Sequence, residues 1–136
     1  MKTDTWDMFS KYIRLRDADE NGYVKCVTCG KVMFWEKDGA QAGHFIPGRH
    51  GAVLFNEELV HTQCYGCNIC KGGNGGRYFR YMYDKLGGGK KAIRLIDEMY
   101  VKSNQVRQYK IWELQELYDH YKELVEKLEK KLKGGG

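Results

Sequence analysis

Two pairs of cysteines have the spacing with which a tight turn presents two sulfur ligands to one metal ion. Cys26 pairs with Cys29 and Cys64 with Cys67, and a long insert separates the two pairs. In a reducing compartment this spacing favours a metal over disulfides, and four thiolates leave no coordination position open. The sequence therefore predicts a structural zinc site. Cys70 offers an alternative to Cys67, but we expect it to be a small apolar residue outside the site.

A histidine in the insert has surroundings that suit catalysis. His44 belongs to the run AGHFI, and the turn PGRHG joins this run to a second β-like run, AVLFN. The pattern predicts a β-hairpin, and a neutral histidine on a rigid hairpin is a suitable general base near pH 7. After the second cysteine pair come Asn68 and Asn74, whose amide oxygens could hold Mg²⁺. A base and a divalent cation are what phosphodiester hydrolysis requires.

Each of these polar residues also has a purely structural interpretation. His44 could be a hydrogen-bonded hairpin histidine, and Asn68 could cap the helix that follows the second cysteine pair. Asn74 lies among glycines and could be a turn residue with a left-handed backbone. We expect His50 and His61 to be a loop histidine and a strand-packing histidine, respectively.

Basic residues near the candidate site could contact a polyanion. The formal net charge is +5, which permits but does not require a partner such as DNA. Aromatic residues lie among the basic ones, and they could stack on unpaired bases or fill a small core. Nothing in the sequence resembles a base-reading recognition helix, which favours selection by DNA structure. We predict phosphate contacts from Arg49, Lys71, Arg77 and Arg80.

Nothing in the sequence predicts contact with a membrane. It contains no run of about 18 apolar residues, so a spanning helix is not expected. Residues 1–17 carry scattered charges and lack the apolar segment of a secretory signal. We therefore expect a soluble protein located in the cytoplasm.

Helical periodicity predicts the elements around the site. Apolar residues recur at a spacing of three to four over 4–16, and shorter helices are expected over 77–86 and 90–103. We assign residues 1–103 to one α+β domain, in which an N-terminal helix precedes a zinc-tied core of the ββα-metal, treble-clef-like type. Residues 134–136 are expected to form a flexible tail.

We assign residues 104–133 to a C-terminal amphipathic helix, which is the clearest periodic segment of the chain. Its apolar residues alternate by three and four, which is a heptad pattern over about three repeats. Two interpretations stay open. The helix could pack on its own domain or on the helix at 91–101, or it could form a homodimer. The heptad positions are Ile111, Leu114, Tyr118, Tyr121, Val125, Leu128 and Leu132.

Several motifs together resemble the NinG (Rap) family of lambdoid phage recombination proteins. They are FSKYIRLRDA, CVTCG, AGHFIPGRH, FNEELVHTQCYGCN and GGN, and they lie between about residue 9 and residue 87. The resemblance implies a zinc-stabilised, HNH-like endonuclease that uses Mg²⁺ or Mn²⁺ and acts on branched DNA such as Holliday junctions and D-loops. It also implies that His44 is the general base and that the four cysteines bind zinc. Asn68 is then the first choice for the catalytic metal ligand, and Asn74 the second.

Two positions depart from the wider HNH pattern. Gly43 stands where many HNH enzymes place an acidic or histidine metal ligand, and Leu59 stands where they place the asparagine that orients the base. The alternative function is therefore a non-catalytic, zinc-finger-like DNA-binding module in phage recombination. A third interpretation is a protein-interaction adaptor built on the C-terminal helix.

Overall fold

The structure is a computed structural model, and it describes residues 2–47 and 51–132 of the chain. Short strands and helices are combined as predicted, so the α+β class is confirmed. In chain order the elements are α1 (Lys2–Asp17), β1 (Tyr23–Lys25), β2 (Val32–Phe34), β3 (Ala40–His44), α2 (Gly51–Leu54), β4 (Val60–Cys64), a π-helical turn (Gly66–Cys70), α3 (Gly75–Lys85), α4 (Gly89–Ser103) and α5 (Ile111–Lys131). The helices predicted at 4–16, 77–86 and 90–103 correspond to α1, α3 and α4.

Strand β3, which carries His44, pairs with β4 and not with the run AVLFN. The two strands are antiparallel, with Gly43 opposite His61 and His44 opposite Val60. The predicted second strand of the hairpin was wrong, because residues 51–54 form the short helix α2. A brief apolar run does not distinguish helix from strand. The true partner was missed because its middle residues are polar, although every residue of β4 is buried.

The first cysteine pair lies in the turn between β1 and β2. These strands are antiparallel, with Tyr23 opposite Phe34 and Lys25 opposite Val32. The amide of Gly30 donates to the carbonyl of Cys26 at 2.8 Å, and the Cys26 amide donates to Lys31 at 2.9 Å. Gly30 has φ +82°, a backbone region that glycine adopts without strain. The predicted knuckle around this pair is confirmed.

Helix α5 packs against α1 of the same chain. Phe9 of α1 is fully buried and lies edge-on to Phe55 and Tyr121, with ring centroids 5.6 and 5.0 Å apart. The same cluster includes Leu114, whose side chain lies one turn after the start of α5. Packing of the C-terminal helix on its own domain, one of the two open interpretations, is therefore observed. The tail assigned to residues 134–136 lies outside the described residues.

The end of α1 is tied to β4 by charged side chains. The Arg16 guanidinium donates to the carbonyl oxygens of Glu57 and Val60, both at 2.9 Å. The Asp17 carboxylate accepts hydrogen bonds from the amide and the hydroxyl of Thr62, both at 3.0 Å. Charge-assisted bonds of this kind are stronger than neutral ones, so α1 holds β4 in a fixed position.

Replacement of Phe9 by alanine is expected to destabilise the fold by about 3–5 kcal/mol, since it removes a fully buried ring from between α1 and α5. Chemical denaturation of the zinc-loaded protein measures this change. The matched control is Val106→Ala, where the side chain is 93% exposed and a change below about 0.5 kcal/mol is expected. Equal stabilities for the two variants would contradict the packing described here.

Candidate metal centre and active site

The four predicted cysteine ligands come together. The Sγ atoms of Cys26, Cys29, Cys64 and Cys67 all lie within 4.8 Å of one another, and those of Cys29 and Cys64 are 3.7 Å apart. Zinc–sulfur bonds of about 2.3 Å in a tetrahedron imply sulfur–sulfur distances of about 3.8 Å. The cluster therefore has the dimensions to bind one metal ion such as zinc. Cys70 is exposed and is not part of this group.

Hydrogen bonds to the sulfurs favour thiolates in the cluster. The Thr28 hydroxyl lies 3.2 Å from Cys26 Sγ, and the Cys67 amide donates to Cys64 Sγ at 3.4 Å. Burial raises the pKa of Cys26, but bonds from Thr28 and from backbone amides outweigh burial and lower that pKa to about 6. A backbone bond at Lys31 lowers the pKa of Cys29, but burial and the neighbouring thiols raise it to about 12. Four sulfurs this close cannot all be ionised without a cation between them.

His44 and Asn68 line the same cavity, beside the cysteine cluster. The cavity has a volume of about 270 Å³. Residues from α1, from β3 and from the segment after the second cysteine pair form its wall, so it depends on three separate parts of the chain. The residues that line it are Trp6, Ala42, His44, Phe45, Pro47, Asn68, Ile69, Gly72, Gly73 and Gly75.

Trp6 and Leu54 contact the imidazole of His44. The indole ring of Trp6 stacks on it, with centroids 5.1 Å apart and an interplanar angle of 16°. On the ring edge, Nε2 lies 3.3 Å from the carbonyl oxygen of Leu54. A carbonyl can only accept a hydrogen bond, so Nε2 carries a proton and, in the neutral form of the ring, Nδ1 carries the lone pair. The ring thus has the tautomer in which Nδ1 can accept a proton.

Neither neighbour of His44 was identified from the sequence. Trp6 fits the apolar periodicity of residues 4–16, and its spacing within α1 gives no sign that it reaches a residue 38 positions later. Leu54 contacts His44 through its backbone carbonyl. Every residue has such a carbonyl, so the amino-acid sequence does not show which one accepts this hydrogen bond. Contacts of this kind follow from tertiary packing and not from a local pattern.

The two predicted asparagines have different surroundings. The Asn68 amide nitrogen donates to Gln41 Oε1 at 2.8 Å, which turns its oxygen towards β3. The Asn74 amide nitrogen donates to Cys67 Sγ at 3.5 Å, so this side chain faces the cysteine cluster. Asn74 also has φ +51°, the left-handed backbone given above as its alternative role. The structure places Asn68 with His44 and Asn74 with the sulfurs of the cysteine cluster.

The predicted DNA-contacting residues that the structure describes are at the surface. Lys71, Arg77 and Arg80 are all exposed, while Arg49 lies outside the described residues. Arg80 is paired with Asp84, one helical turn away on α3, at 3.2 Å. Some of the aromatic residues among them lie in the core and others at the surface, and the sequence alone had left both roles open. Tyr78 is fully buried in the core, whereas Phe79 is exposed.

A chain of hydrogen bonds that runs from the surface into the core supports the backbone just before His44. The Lys85 ammonium donates to His61 Nε2 at 3.0 Å, and His61 Nδ1 donates to the Tyr78 hydroxyl at 3.1 Å. That hydroxyl donates in turn to the carbonyl of Gly43 at 2.7 Å. Burial and the Lys85 charge lower the pKa of His61 to about 4, so it is neutral near pH 7 and can take part in this chain. His61 is a strand-packing residue, as predicted.

Together, the fold and the cysteine cluster define, within the described residues, a small α+β protein with a four-cysteine cluster of the dimensions that bind a metal ion. The chain matches the family model described as bacteriophage lambda NinG protein over residues 1–131. It therefore belongs to the NinG family, and the match includes the C-terminal helices, beyond the motifs between residues 9 and 87. Membership of this family indicates a function related to phage recombination.

Two other comparisons gave no significant match, one with curated proteins and one with solved structures. Within residues 2–47 and 51–132, no helix is both long enough and apolar enough to cross a membrane.

Replacement of Cys64 by serine is expected to abolish tight zinc binding and unfold the domain, because the free energy of binding a structural zinc ion is coupled to folding. Metal analysis of the purified protein and its circular dichroism spectrum measure these two effects. The control is Cys70→Ser, which should keep one zinc ion per chain because Cys70 lies outside the cluster. Loss of zinc from both variants would show that the ligand set is wrong.

Proposed function

We propose that this protein is a metal-dependent DNA endonuclease of the HNH type that cuts branched recombination intermediates such as Holliday junctions or D-loops. The observation that carries the proposal is that His44 and Asn68 line one cavity, with the imidazole held in the tautomer of a base. Membership of the NinG family supports DNA recombination as the setting.

In this mechanism His44 acts as the general base. Nδ1 takes a proton from a water molecule, which attacks the phosphorus atom while the bond to the leaving oxygen breaks. The carbonyl of Leu54 accepts the Nε2 hydrogen bond and stabilises the imidazolium that forms. The Trp6 stack limits rotation of the ring, so the base stays aligned with the water.

The amide oxygen of Asn68 suits a hard divalent cation. Such a cation, Mg²⁺ or Mn²⁺, supplies charge stabilisation at the phosphate and the leaving oxygen when it is bound. Mg²⁺ keeps most of its water ligands and needs few from the protein, so one or two amide oxygens are sufficient. Asn74 is the weaker choice, because its amide group faces Cys67 Sγ.

The four cysteines hold a structural zinc ion in this proposal. Zinc joins the turn between β1 and β2 to the segment that follows β4, and that segment carries Asn68. A closed four-sulfur site has no position for substrate. Zinc therefore fixes the position of Asn68 and takes no part in the cleavage itself.

Leu59 is the strongest argument for the non-catalytic alternative, because it stands where other HNH enzymes place the asparagine that orients the base. Leu59 is buried in the cluster that contains Phe45 and Tyr78, so its side chain serves packing. The orienting role is taken over by a backbone carbonyl, that of Leu54, at 3.3 Å from His44 Nε2. Loss of the usual asparagine thus does not leave the base without an orienting acceptor.

Cutting both strands of a junction symmetrically requires two active sites, so we propose that the protein acts as a homodimer on DNA. The inner face of α5 is occupied by α1, whereas Ile111 and Trp112 at its start are 77% and 59% exposed. These residues form an exposed apolar surface at the start of the C-terminal helix that a second copy would cover. Sedimentation of the protein with junction DNA measures the oligomeric state, and a strict monomer would refute this part of the proposal.

Replacement of His44 by alanine is expected to reduce cleavage of a labelled four-way junction by at least about 10²-fold in Mg²⁺ or Mn²⁺, because the general base is lost. Junction affinity should change little. His120→Ala is the matched control, since His120 is exposed on α5 and distant in sequence from the cavity residues. Its cleavage rate should equal that of the wild type.

A linear duplex of the same sequence tests structure selectivity in the same assay. Slower cleavage of the duplex than of the junction is expected. Binding of the junction by the wild type without cleavage in any metal would favour the zinc-finger-like module. Absence of binding at low salt would favour the protein-interaction adaptor.

Affinity for DNA falls as salt rises, and each phosphate contact adds about 0.9 to the steepness of the plot of log affinity against log salt concentration. Replacement of Arg77 by alanine is expected to make this plot less steep by the amount of about one contact. The same change at Arg80 should have a smaller effect, because the Asp84 carboxylate already neutralises part of its charge. Junction binding at several salt concentrations measures both slopes. Identical slopes for the wild type and Arg77→Ala would exclude Arg77 from the DNA interface.

A further inference from the structure

Gln63, near the end of β4, has a buried side-chain amide in which only the nitrogen is hydrogen-bonded. Its side chain is completely inaccessible to solvent. The nitrogen Nε2 donates to the carbonyl oxygen of Gly73 at 2.8 Å and to the hydroxyl of Thr28 at 3.2 Å. No donor in the described part of the chain reaches the oxygen Oε1. A buried acceptor without a partner costs about 1–3 kcal/mol, so its retention calls for a ligand.

The orientation of this amide is fixed by its surroundings. The carbonyl of Gly73 can only accept a hydrogen bond, so the atom 2.8 Å from it must be the nitrogen. Exchanging the two atoms would place two oxygens against each other there. The unpartnered atom is therefore the oxygen, which is a ligand for hard cations.

This oxygen lies where the side chain of residue 43 would begin. A Cβ atom built on Gly43 would overlap Gln63 Oε1 and would lie 3.1 Å from Asn68 Oδ1. Two amide oxygens from different elements thus converge beside the residue that precedes His44. Two acceptors that face one point need a donor or a cation between them.

We infer that Gln63 Oε1 and Asn68 Oδ1 together bind the catalytic divalent cation. Gln63 then supplies, from the neighbouring strand, the ligand that other HNH enzymes place directly before the base. Gly43 is required because any larger residue would occupy the position of the Gln63 oxygen. The inference rests on the proposed nuclease function and adds a second protein ligand to its metal site.

The experiment measures Mn²⁺ binding to zinc-loaded protein without DNA, by the electron paramagnetic resonance signal of free Mn²⁺. The wild type should bind one Mn²⁺ per chain. Gln63→Ala and Asn68→Ala should each weaken binding by about tenfold or more, since changes at even supporting residues of metal sites cost 10- to 100-fold. Zinc content and circular dichroism establish that each variant is folded.

Gln63→Glu is the control for a structural role of Gln63. It keeps an oxygen at the position of Oε1 but replaces the nitrogen that donates to Gly73 and Thr28. Its Mn²⁺ affinity should equal or exceed that of the wild type, since a carboxylate is a stronger ligand for hard cations than an amide. A loss as large as that of Gln63→Ala would mean that Gln63 only braces the loop, and the inference would be wrong.

A relocated ligand provides the sharpest test. Gly43→Asp in the Gln63→Ala background places a carboxylate in the space that the Gln63 oxygen leaves. This double variant should regain Mn²⁺ binding. Gly43→Asp alone should not improve binding, because its Cβ overlaps the Gln63 side chain. Failure of the double variant to bind better than Gln63→Ala would refute the site.

The outcomes separate this inference from the proposed function. If Asn68→Ala loses Mn²⁺ while Gln63→Ala binds like the wild type, the cation site stands but Gln63 holds only a water molecule. If the wild type binds no Mn²⁺ and cleaves no junction, both the inference and the nuclease fail. If it cleaves the junction in Mn²⁺ but the Gln63 variant is unaffected in binding, only the inference fails.

Discussion

Convergence of four sulfur atoms on one point is the constraint on which the candidate site depends. The two cysteine pairs come from the turn after β1 and from the segment after β4, which are distant in sequence. Neither segment has a large apolar core of its own. Once the sulfurs share a metal ion, β4 and the π-helical turn have fixed positions relative to the first hairpin. Asn68, which directly follows Cys67, is placed by the same constraint.

The second level of support is a set of buried polar contacts around the β3–β4 pair. Thr62 is held by Asp17, His61 by Tyr78 and Lys85, and Gln63 by Thr28 and Gly73. Consecutive residues of one strand are thereby fixed from both faces. This explains how a strand with the sequence VHTQC can be fully buried, because nearly every polar group in it has a partner.

The sequence allowed prediction of those features that depend on local chemistry. Cysteine spacing identified the four cysteines that come together, and periodicity located α1, α3 and α4 within about two residues of their ends. The C-terminal helix begins at Ile111, where the heptad pattern begins, and not at residue 104 as predicted. The partner of β3 was not predictable in this way, since β4 looks polar and the apolar run AVLFN looks like a strand. Only the tertiary pairing of β3 with β4 decides between them. The contacts of His44 with Trp6 and Leu54 were hidden for the same reason.

The stacking of Trp6 on His44 has a consequence for biosynthesis. Trp6 lies on α1, and part of the apolar face of α1 is covered by α5, which the ribosome makes after every residue that lines the cavity. In a nascent chain that lacks residues 111–131, Phe9 has not yet gained its contacts with Leu114 and Tyr121. The helix that carries the indole ring is then packed against β3 and β4 but not against α5, so the candidate site gains its full support only after α5 has been made.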